Sequence, residues 1–231
     1  MNDASISILG CGWLGLPLAQ RLVHLGYSVK GATTTPKKLS LLEESKIKPF
    51  LLKADPQLNG KDIDLFFKSK ILVLNIPFRR TLKDPEYYRQ QIDSVVRHIK
   101  LSPMEFLIFT SSTSVYPASL EAVSEDVAFV PDHPRSKVLH AIERSLLANQ
   151  NFRATVIRFS GLYGEKRKIG AILAGRSGLA DGDAPVNLIH LDDCVEIMAQ
   201  VIQKDIRGEI FNACSDGHPT RKEIYTKAAL F

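Results

Sequence analysis

The chain has 231 residues, of which 45% are hydrophobic, 24% charged and 8% aromatic, a composition that excludes a disordered, fibrous or collagen-like protein. Lys+Arg 30 against Asp+Glu 25 leaves a net charge of +5, which suits an anionic small ligand. The sequence has no basic stripe interleaved with aromatic residues, so we expect no nucleic-acid partner.

Short β-like runs alternate with longer helical patterns along most of the chain. The opening, residues 5–33, predicts a strand, a helix and a second strand, with a helix stop at Gly26. The alternation continues through about six β/α units. The predicted strands are 5–9, 28–33, 50–52, 71–74, 105–109, 154–159 and 209–213, and the predicted helices are 13–25, 36–44, 85–100, 134–148, 191–203 and 220–230.

The predicted strands are almost continuously apolar, which is typical of a parallel sheet covered by helices on both faces. We therefore expect the α/β class and a doubly wound sheet, in a single domain over residues 1–231. The alternation stops at about 165–188, where glycine-rich, charged sequence predicts an irregular lip over a cleft.

The three cysteines, Cys11, Cys194 and Cys214, lack the spacing of a metal site, and their odd number favours reduced thiols. We expect neither a disulfide nor a structural zinc ion. No signal peptide and no apolar run long enough to span a bilayer are visible, so the sequence predicts a cytoplasmic protein with no membrane partner.

A G-x-G-x-x-G pattern follows the first predicted strand directly and opens the first helix. In this context the first glycine permits a tight turn, the second lets the backbone approach a pyrophosphate, and the third lets helix and strand pack closely. The helix N-terminus adds N–H donors and a positive dipole end. The pattern predicts a Rossmann-type dinucleotide site, with a turn that only packs the helix as the alternative. Its residues are Gly10, Cys11, Gly12, Trp13, Leu14 and Gly15.

The end of the second predicted strand bears on which dinucleotide is preferred. An acid there would hold the ribose hydroxyls of NAD, and the segment has none. It offers hydroxyls and two cations where the 2′-phosphate of NADP would lie, which favours NADP, with NAD as the alternative. The lysine pair could equally be the solvated start of a helix. The segment contains Thr33, Thr34, Thr35, Lys37 and Lys38.

Two further positions complete the expected cofactor channel. Asp55, placed just after the third strand, is expected to meet the adenine amino group, or to be a plain surface acid. Asn75, Ile76 and Pro77 end the fourth strand, and their backbone is expected to line the channel or to form a simple turn.

Three more segments are similar to known motifs. Residues 109–116 end a strand with a serine-rich run, 158–164 are similar to the L-R-x-x-x-x-Y-G segment, and 189–193 are similar to h-V-x-D. Together with the glycine turn they resemble an extended or atypical short-chain dehydrogenase/reductase of the NAD-dependent epimerase/dehydratase kind. The resemblance covers most of the chain.

In that family a Ser or Thr positions the substrate oxygen, a Tyr acts as acid and base, and a Lys holds the nicotinamide ribose and lowers the pKa of the Tyr. The resemblance assigns Ser112 to the first role and Lys137 to the third, where Lys137 also binds cofactor. His133 stands where Tyr-x-x-x-Lys has its tyrosine. An imidazole can shuttle a proton at neutral pH, although Pro134 after it favours a helix-capping histidine.

Other residues near the expected cleft have mainly structural interpretations. Tyr116 and Tyr163 are expected to pack. The basic run 166–168 would meet a substrate phosphate or, more simply, face water. His190 and Asp192 are expected to brace the lip, with Asp192 capping the helix that follows.

The resemblance weakens after residue 214, where family members continue through a substrate-binding lobe and only 214–231 remain here. We expect a reduced C-terminal substrate lobe and a small carbonyl or sugar-type substrate, or a homo-oligomer whose second subunit completes an open cleft. Two functions follow. Retention of Ser112 and Lys137 favours an NAD(P)-dependent oxidoreductase or epimerase/dehydratase, and the missing tyrosine favours a non-catalytic dinucleotide-binding sensor or regulatory protein.

Overall fold

The computed structural model describes residues 5–79, 81, 82, 84–117, 123–173, 178 and 180–228. Within these ranges helices flank an eight-stranded sheet, and two further strands pair separately. Two 3₁₀ turns, Pro36–Lys38 and Thr113–Val115, follow strands of the large sheet. In chain order the elements are β1 Ser5–Leu9, α1 Gly15–His24, β2 Ser28–Thr33, α2 Leu39–Glu44, β3 Lys48–Asp55, β4 Gln57–Gly60, α3 Ile63–Phe67, β5 Ile71–Leu74, α4 Pro85–Lys100, β6 Phe106–Ser112, α5 Pro134–Leu147, β7 Arg153–Phe159, β8 Gly161–Tyr163, α6 Ile169–Leu173, β9 Leu188–His190, α7 Leu191–Gln203, β10 Ile210–Ala213 and α8 Arg221–Ala228.

The strand order of the large sheet is β10-β7-β6-β5-β1-β2-β3-β4. Every pair is parallel except β3 with β4 at one edge. The chain runs outward from β1 through β2 and β3, then returns to pair β5 with the other side of β1. This reversal confirms the predicted doubly wound α/β fold and places its topological switch point between β1 and β5, where such sheets bind ligands.

Two hydrophobic layers cover the two faces of the sheet, as the apolar strands require. One layer joins α1, α2 and α7 to the sheet, through Leu18, Leu42 and Met198 among others. The other joins α3, α4 and α5, through residues that include Phe66 and Ile92. Because helices in the described part of the chain cover both faces, the ends of the strands are where a ligand would meet the sheet.

Capping signals set where the longer helices begin. Asp84 accepts a hydrogen bond from the Glu86 N–H, and Pro85 occupies the first position of α4, where its missing N–H costs nothing. At the start of α5, His133 is the N-cap and accepts a hydrogen bond from the Arg135 N–H, and Pro134 occupies the first helical position. Both helices therefore begin at the carboxyl ends of the strands, next to the expected site.

Parts of the architecture differ from the sequence prediction. Helix α1 begins at Gly15, because residues 12–14 continue the turn, and β6 extends to Ser112. Strand β3 spans Lys48–Asp55 rather than 50–52 and is followed by an unpredicted antiparallel strand, β4. Exposed residues interrupt the apolar run of β3, as is usual near a sheet edge, so its pattern was too weak to show its length.

The predicted lip, 165–188, lies between β8 and β9, which form a small parallel pair of their own. It contains α6 and otherwise irregular backbone in its described part. Parts of this prediction, 174–177 and 179, and of the C-terminal segment, 229–231, lie outside the described residues. No helix in the described part of the chain has both the length and the apolar character needed to cross a bilayer.

Candidate functional site

The glycine turn between β1 and α1 is fastened to three neighbouring strands. The N–H groups of Gly10 and Cys11 both donate to the Ala32 carbonyl of β2, at 3.3 and 2.7 Å. From the other side, the Asn75 side-chain amide donates to the Gly10 carbonyl at 3.0 Å. Thr110 of β6 donates in turn to the Asn75 Oδ1, at 3.1 Å. The turn is thus held rigidly at the switch point of the sheet.

The three motif glycines have different physical reasons to be glycine. A Cβ on Gly10, whose φ is +114°, would lie 2.3 Å from the Asn75 carbonyl oxygen, and one on Gly15 would lie 2.2 Å from the Gly10 carbonyl oxygen. Both clashes are with backbone, so these two glycines are required by packing. A Cβ on Gly12 would meet no atom within 4 Å. The space beside Gly12 is therefore open, as a closely approaching ligand requires.

The start of α1 offers unused hydrogen-bond donors. Leu14 at the N-cap makes no side-chain capping bond. In the described part of the chain no acceptor meets the backbone N–H of Trp13, Leu14 or Gly15. These three donors lie at the positive end of the helix dipole and beside the open face of Gly12, an arrangement that binds phosphate groups.

The side chains of the glycine turn contact other parts of the protein, so the turn would offer a ligand mainly its backbone N–H groups. The Cys11 thiol is buried and donates to the Ile8 carbonyl at 3.7 Å. Burial raises the pKa of Cys11 to about 12, against the opposing positive charge of Lys38. Leu14 is buried in the same layer as α1. Only Trp13 reaches outward, where its indole N–H donates to the Glu165 carbonyl at 2.7 Å.

The end of β2 places the predicted specificity residues one strand away from the glycine turn. Thr33 is buried, and its hydroxyl accepts a hydrogen bond from the Thr35 N–H at 3.2 Å. Thr34, Thr35 and Lys37 are exposed, and Lys38 is half-buried. Within the described residues, no carboxylate lies within ion-pair distance of Lys37 or Lys38.

Asp55 is the last residue of β3, and its carboxylate already has protein partners. Lys53 forms an ion pair with it, and the Tyr87 hydroxyl of α4 donates to it. These two hydrogen bonds hold the pKa of Asp55 below its usual value. Asp55 remains exposed, so its predicted contact with adenine stays a prediction.

The segment after β5 lines the switch point from the other side. Asn75 positions the glycine turn through its side chain, while the Ile76 carbonyl accepts a hydrogen bond from the buried Tyr88 hydroxyl at 2.9 Å. Pro77 is exposed. Of the three predicted channel residues, Asn75 therefore lies nearest to the glycine turn and also has a clear structural role.

The structure links Ser112 to the start of α5. The Ser112 hydroxyl accepts a hydrogen bond from the Ser114 N–H at 3.1 Å, and Ser114 in turn accepts one from the Ser136 hydroxyl through its carbonyl, at 2.8 Å. His133 and Lys137, both exposed, flank Ser136 on α5. The three predicted catalytic residues thus lie at the same edge of the sheet.

His133 is the N-cap of α5 in an extended conformation, with φ −95° and ψ 142°. Its Nδ1 accepts a hydrogen bond from the Arg135 N–H at 3.2 Å. A neutral imidazole whose Nδ1 accepts carries its proton on Nε2. In this state Nε2 can donate a hydrogen bond to a ligand, but uptake of a second proton would fall on Nδ1 and break the cap.

Arg135 was not singled out by sequence reasoning. Its guanidinium donates to the carbonyls of Phe78 and Arg79, at 2.8 and 3.0 Å, and its carbon Cζ lies 3.8 Å from the centroid of the Phe78 ring. It holds the loop after β5 against α5. The only available signal was its position inside the degenerate Tyr-x-x-x-Lys motif.

A buried ion pair lies behind the predicted catalytic residues. Arg158 of β7 and Glu143 of α5 are both almost fully buried and join through a bond of 2.7 Å. The Ser111 hydroxyl donates to Glu143. Arg158 also donates to the Tyr116 hydroxyl at 2.6 Å, and Tyr116 donates to Asn212 Oδ1 at 3.0 Å. Tyr116 is therefore a structural residue of a network that joins α5 to three strands.

The lip begins with a tight turn packed against the glycine turn. The Arg167 N–H donates to the Gly164 carbonyl at 3.0 Å, and the run 166–168 is exposed. The Tyr163 ring packs against that of His190, with centroids 5.1 Å apart. The expectation that Asp192 caps α7 is wrong: His190 is the N-cap, because its Nδ1 accepts from the Asp192 N–H at 3.3 Å.

The cysteines and acids form no metal site in the described part of the chain. All three cysteines are free thiols. No group of three or more His, Cys, Asp or Glu side chains among the described residues is placed to hold a metal ion. The described residues at the carboxyl ends of the strands offer backbone N–H donors, hydroxyls, an imidazole and cations.

Comparison with solved structures supports the same fold. The structure superposes on a UDP-glucuronic acid 4-epimerase from Bacillus cereus in complex with NAD, with a TM-score of 0.78 and 20% identity, covering 97% of this chain and 82% of that one. A UDP-glucose 4-epimerase from Thermus thermophilus in complex with NAD gives a TM-score of 0.79 at 14% identity, covering 98% and 82%. At these identities the likeness shows the fold alone.

Sequence comparison identifies the family. Protein YeeZ of Escherichia coli (strain K12) is 33% identical over 226 residues, which covers 97% of this chain and 82% of that protein. The family model described as the NAD dependent epimerase/dehydratase family matches residues 6–214. The matched range contains the glycine turn, Ser112 and the start of α5. The chain belongs to the NAD-dependent epimerase/dehydratase family.

Proposed function

We propose that this protein binds a nicotinamide dinucleotide, preferably NADP, across the carboxyl ends of β1, β2 and β5, and uses it as an oxidoreductase or epimerase/dehydratase on a small carbonyl or sugar-type substrate. One observation carries the proposal: the three free N–H groups of residues 13–15 lie beside the open face of Gly12, at the switch point of the sheet. Sugar nucleotides are named as the substrates of the solved neighbours, which supports a sugar-type ligand.

The residues present fit this cofactor. The backbone of residues 12–15 would hold the pyrophosphate, and the end of β2 with Lys37 and Lys38 would hold the adenosine 2′-phosphate. Asp55 would meet the adenine, and residues 75–77 would line the path of the nicotinamide. When bound, the nicotinamide supplies a centre that accepts or donates a hydride.

The chain's own residues would orient the substrate and the cofactor. Ser112 would hold the substrate oxygen, and Lys137 would hold the nicotinamide ribose. His133 would donate a hydrogen bond from Nε2 to the same oxygen, because Nδ1 is occupied by the helix cap. The roles of Ser112 and Lys137 are carried over from the family resemblance to the matching positions, whereas His133 stands where the family has its tyrosine.

The cofactor preference is tested by calorimetric titration with NADPH and NADH. Replacing both Lys37 and Lys38 with Ala removes the cations at the end of β2, and we expect NADPH affinity to fall about tenfold while NADH affinity is unchanged. The control variant carries Lys100→Ala and Lys204→Ala. It removes the same charge from the C-terminal ends of α4 and α7, away from the carboxyl ends of the strands. Equal losses for both dinucleotides would contradict the NADP preference.

A second candidate function, a non-catalytic dinucleotide sensor or regulatory protein, is favoured by the capping bond of His133. Catalysis by an imidazole that takes up a proton would compete with this bond. The sensor would bind the dinucleotide without turning it over.

His133→Asn separates the two functions. Asn is a good N-cap, so the variant should fold like the wild type, but it has no titratable ring. If the protein is an enzyme that uses His133, oxidation of NADPH with a responsive carbonyl substrate should fall at least tenfold in His133→Asn, with little change in Tm. Unchanged turnover in His133→Asn would show that His133 serves only as the N-cap of α5. Tight binding by the wild type without turnover across a panel of carbonyl and sugar substrates would favour the sensor.

A further inference from the structure

The Trp13 side chain joins the start of the lip to the glycine turn. The Trp13 indole donates to the Glu165 carbonyl at 2.7 Å, over a separation of 152 residues. Gly164, with φ +149°, lets the lip backbone pass close by, because a Cβ there would lie 3.2 Å from His190 Nε2 and 3.4 Å from Trp13 Cζ2. The lip segment 164–167 is therefore packed directly on the glycine turn.

This packing places a cation on the side chain of Trp13, a residue whose backbone N–H is one of the free donors. The Arg167 guanidinium carbon lies 5.4 Å from the centroid of the Trp13 ring, in a cation–π arrangement. Within the described residues, no carboxylate pairs with Arg167 and no acceptor receives a hydrogen bond from its guanidinium. The Arg167 guanidinium is thus held over the ring of Trp13, and among the described residues it has no counter-ion. The backbone N–H of Trp13 is one of the three free donors.

We propose that Arg167, held on the Trp13 indole, is a ligand of the pyrophosphate of the bound dinucleotide and closes the phosphate site from the lip side. This inference rests on the proposed dinucleotide binding and adds a residue to it that the glycine motif does not contain. A guanidinium forks onto two phosphate oxygens, and stacking on the indole reduces the freedom that it would lose on binding. The lip then contributes to the cofactor site as well as to the substrate side of the cleft.

The single tryptophan makes the test direct. Trp13 is the only tryptophan of the chain, and its emission overlaps the absorption of the reduced nicotinamide, so bound NADPH should quench Trp13 by energy transfer. The full chain is titrated with NADPH, followed by Trp13 quenching, and with ADP-ribose, followed by calorimetry. ADP-ribose has the pyrophosphate but no nicotinamide. The two titrations give the affinities for the two ligands.

The decisive variant is Arg167→Gln. We expect its affinity for both ligands to fall about tenfold, corresponding to the loss of one charge-assisted contact, and the difference to shrink at high salt. Arg167→Lys keeps the charge without the planar fork. Its affinity for both ligands should therefore lie between those of the wild type and of Arg167→Gln. Arg144→Gln, an exposed arginine near the far end of α5, is the matched control and should bind like the wild type.

Other outcomes overturn the inference in distinguishable ways. If the wild type binds neither ligand, the proposed function fails, and this inference fails with it. If the wild type binds and Arg167→Gln binds equally well, only the role of Arg167 is wrong. A loss for NADPH but not for ADP-ribose would place Arg167 at the nicotinamide or the 2′-phosphate instead, because ADP-ribose lacks both groups. An equal loss in Lys168→Gln would show a diffuse charge effect rather than a stacked ligand.

Discussion

Single residues of the glycine turn divide into those that the fold needs and those that a ligand needs. Gly10 and Gly15 are each confined by backbone oxygens closer than 2.5 Å to a built Cβ, whereas Gly12 faces open space. The same sequence pattern therefore contains two packing constraints and one binding constraint. Only the tertiary environment separates them, since all three are the same residue type.

Gly12→Ala should separate binding from folding. We expect its Tm to stay within a few degrees of the wild type, because no atom lies within 4 Å of the added methyl group, and its affinity for NADPH to fall at least tenfold, because the methyl group occupies the approach to the backbone donors. Calorimetry and thermal unfolding measure the two quantities.

The matched control is Gly217→Ala, which also adds a methyl group in open space but lies outside the proposed site. Gly10→Ala is the opposite case and should unfold well below the wild-type temperature, because its methyl group would meet the Asn75 backbone at a positive φ. Wild-type affinity in Gly12→Ala would exclude close approach of a ligand at this turn.

At the scale of elements, α5 is the part of the molecule on which the candidate chemistry depends. Its first turn presents His133 and Lys137, and its buried face carries Glu143 against Arg158 of β7. Because Ser111 also donates to Glu143, the network joins the helix to the strand that ends at Ser112. The buried pair therefore sets the position of α5 relative to β6.

Removing one partner of this pair should be costly. Glu143→Leu leaves Arg158 buried without a counter-ion, and we expect a loss of about 3–5 kcal/mol in the free energy of unfolding, measured by urea denaturation. The double variant Glu143→Leu and Arg158→Leu removes both charges and should lose less than Glu143→Leu alone. A double variant as unstable as the single one would contradict this electrostatic explanation.

At the scale of the whole molecule, the candidate site is assembled from segments that are distant along the chain. The glycine turn, the end of β2, Asn75 and the start of α5 meet only because the strand order reverses between β1 and β5. A ligand that contacts all of them stabilises the folded state of the whole sheet, because it binds the folded chain and not the unfolded one.

We therefore expect NADPH to raise the temperature of unfolding. At a free concentration of about 100 times Kd the ligand adds about 2.7 kcal/mol, which corresponds to roughly 5–10 °C for a chain of this size. Differential scanning fluorimetry measures the shift, and Gly12→Ala should show a much smaller one at the same ligand concentration. A wild-type Tm that does not respond to NADPH or NADH would contradict the proposed function.

Local sequence patterns determined much of this protein. Apolar runs and helix periodicity predicted most strands and long helices, and Leu191–Gln203 was predicted with its observed bounds. The glycine turn was recognisable from the sequence because its chemistry depends on neighbouring residues. His133 was also recognisable as a cap candidate, because Pro134 restricts the residue before it.

The tertiary structure alone decided which of these residues meet. Three contacts join residues that no local sequence pattern connects. They are the antiparallel pairing of β4, the hydrogen bonds of Arg135 to the loop after β5, and the burial of Glu143 beside Arg158. The bond from Trp13 to Glu165 spans 152 residues and has no signature in the sequence. The physical reason is that hydrophobic periodicity and turn chemistry act over a few residues, whereas these contacts exist only once the sheet has brought its strand ends together.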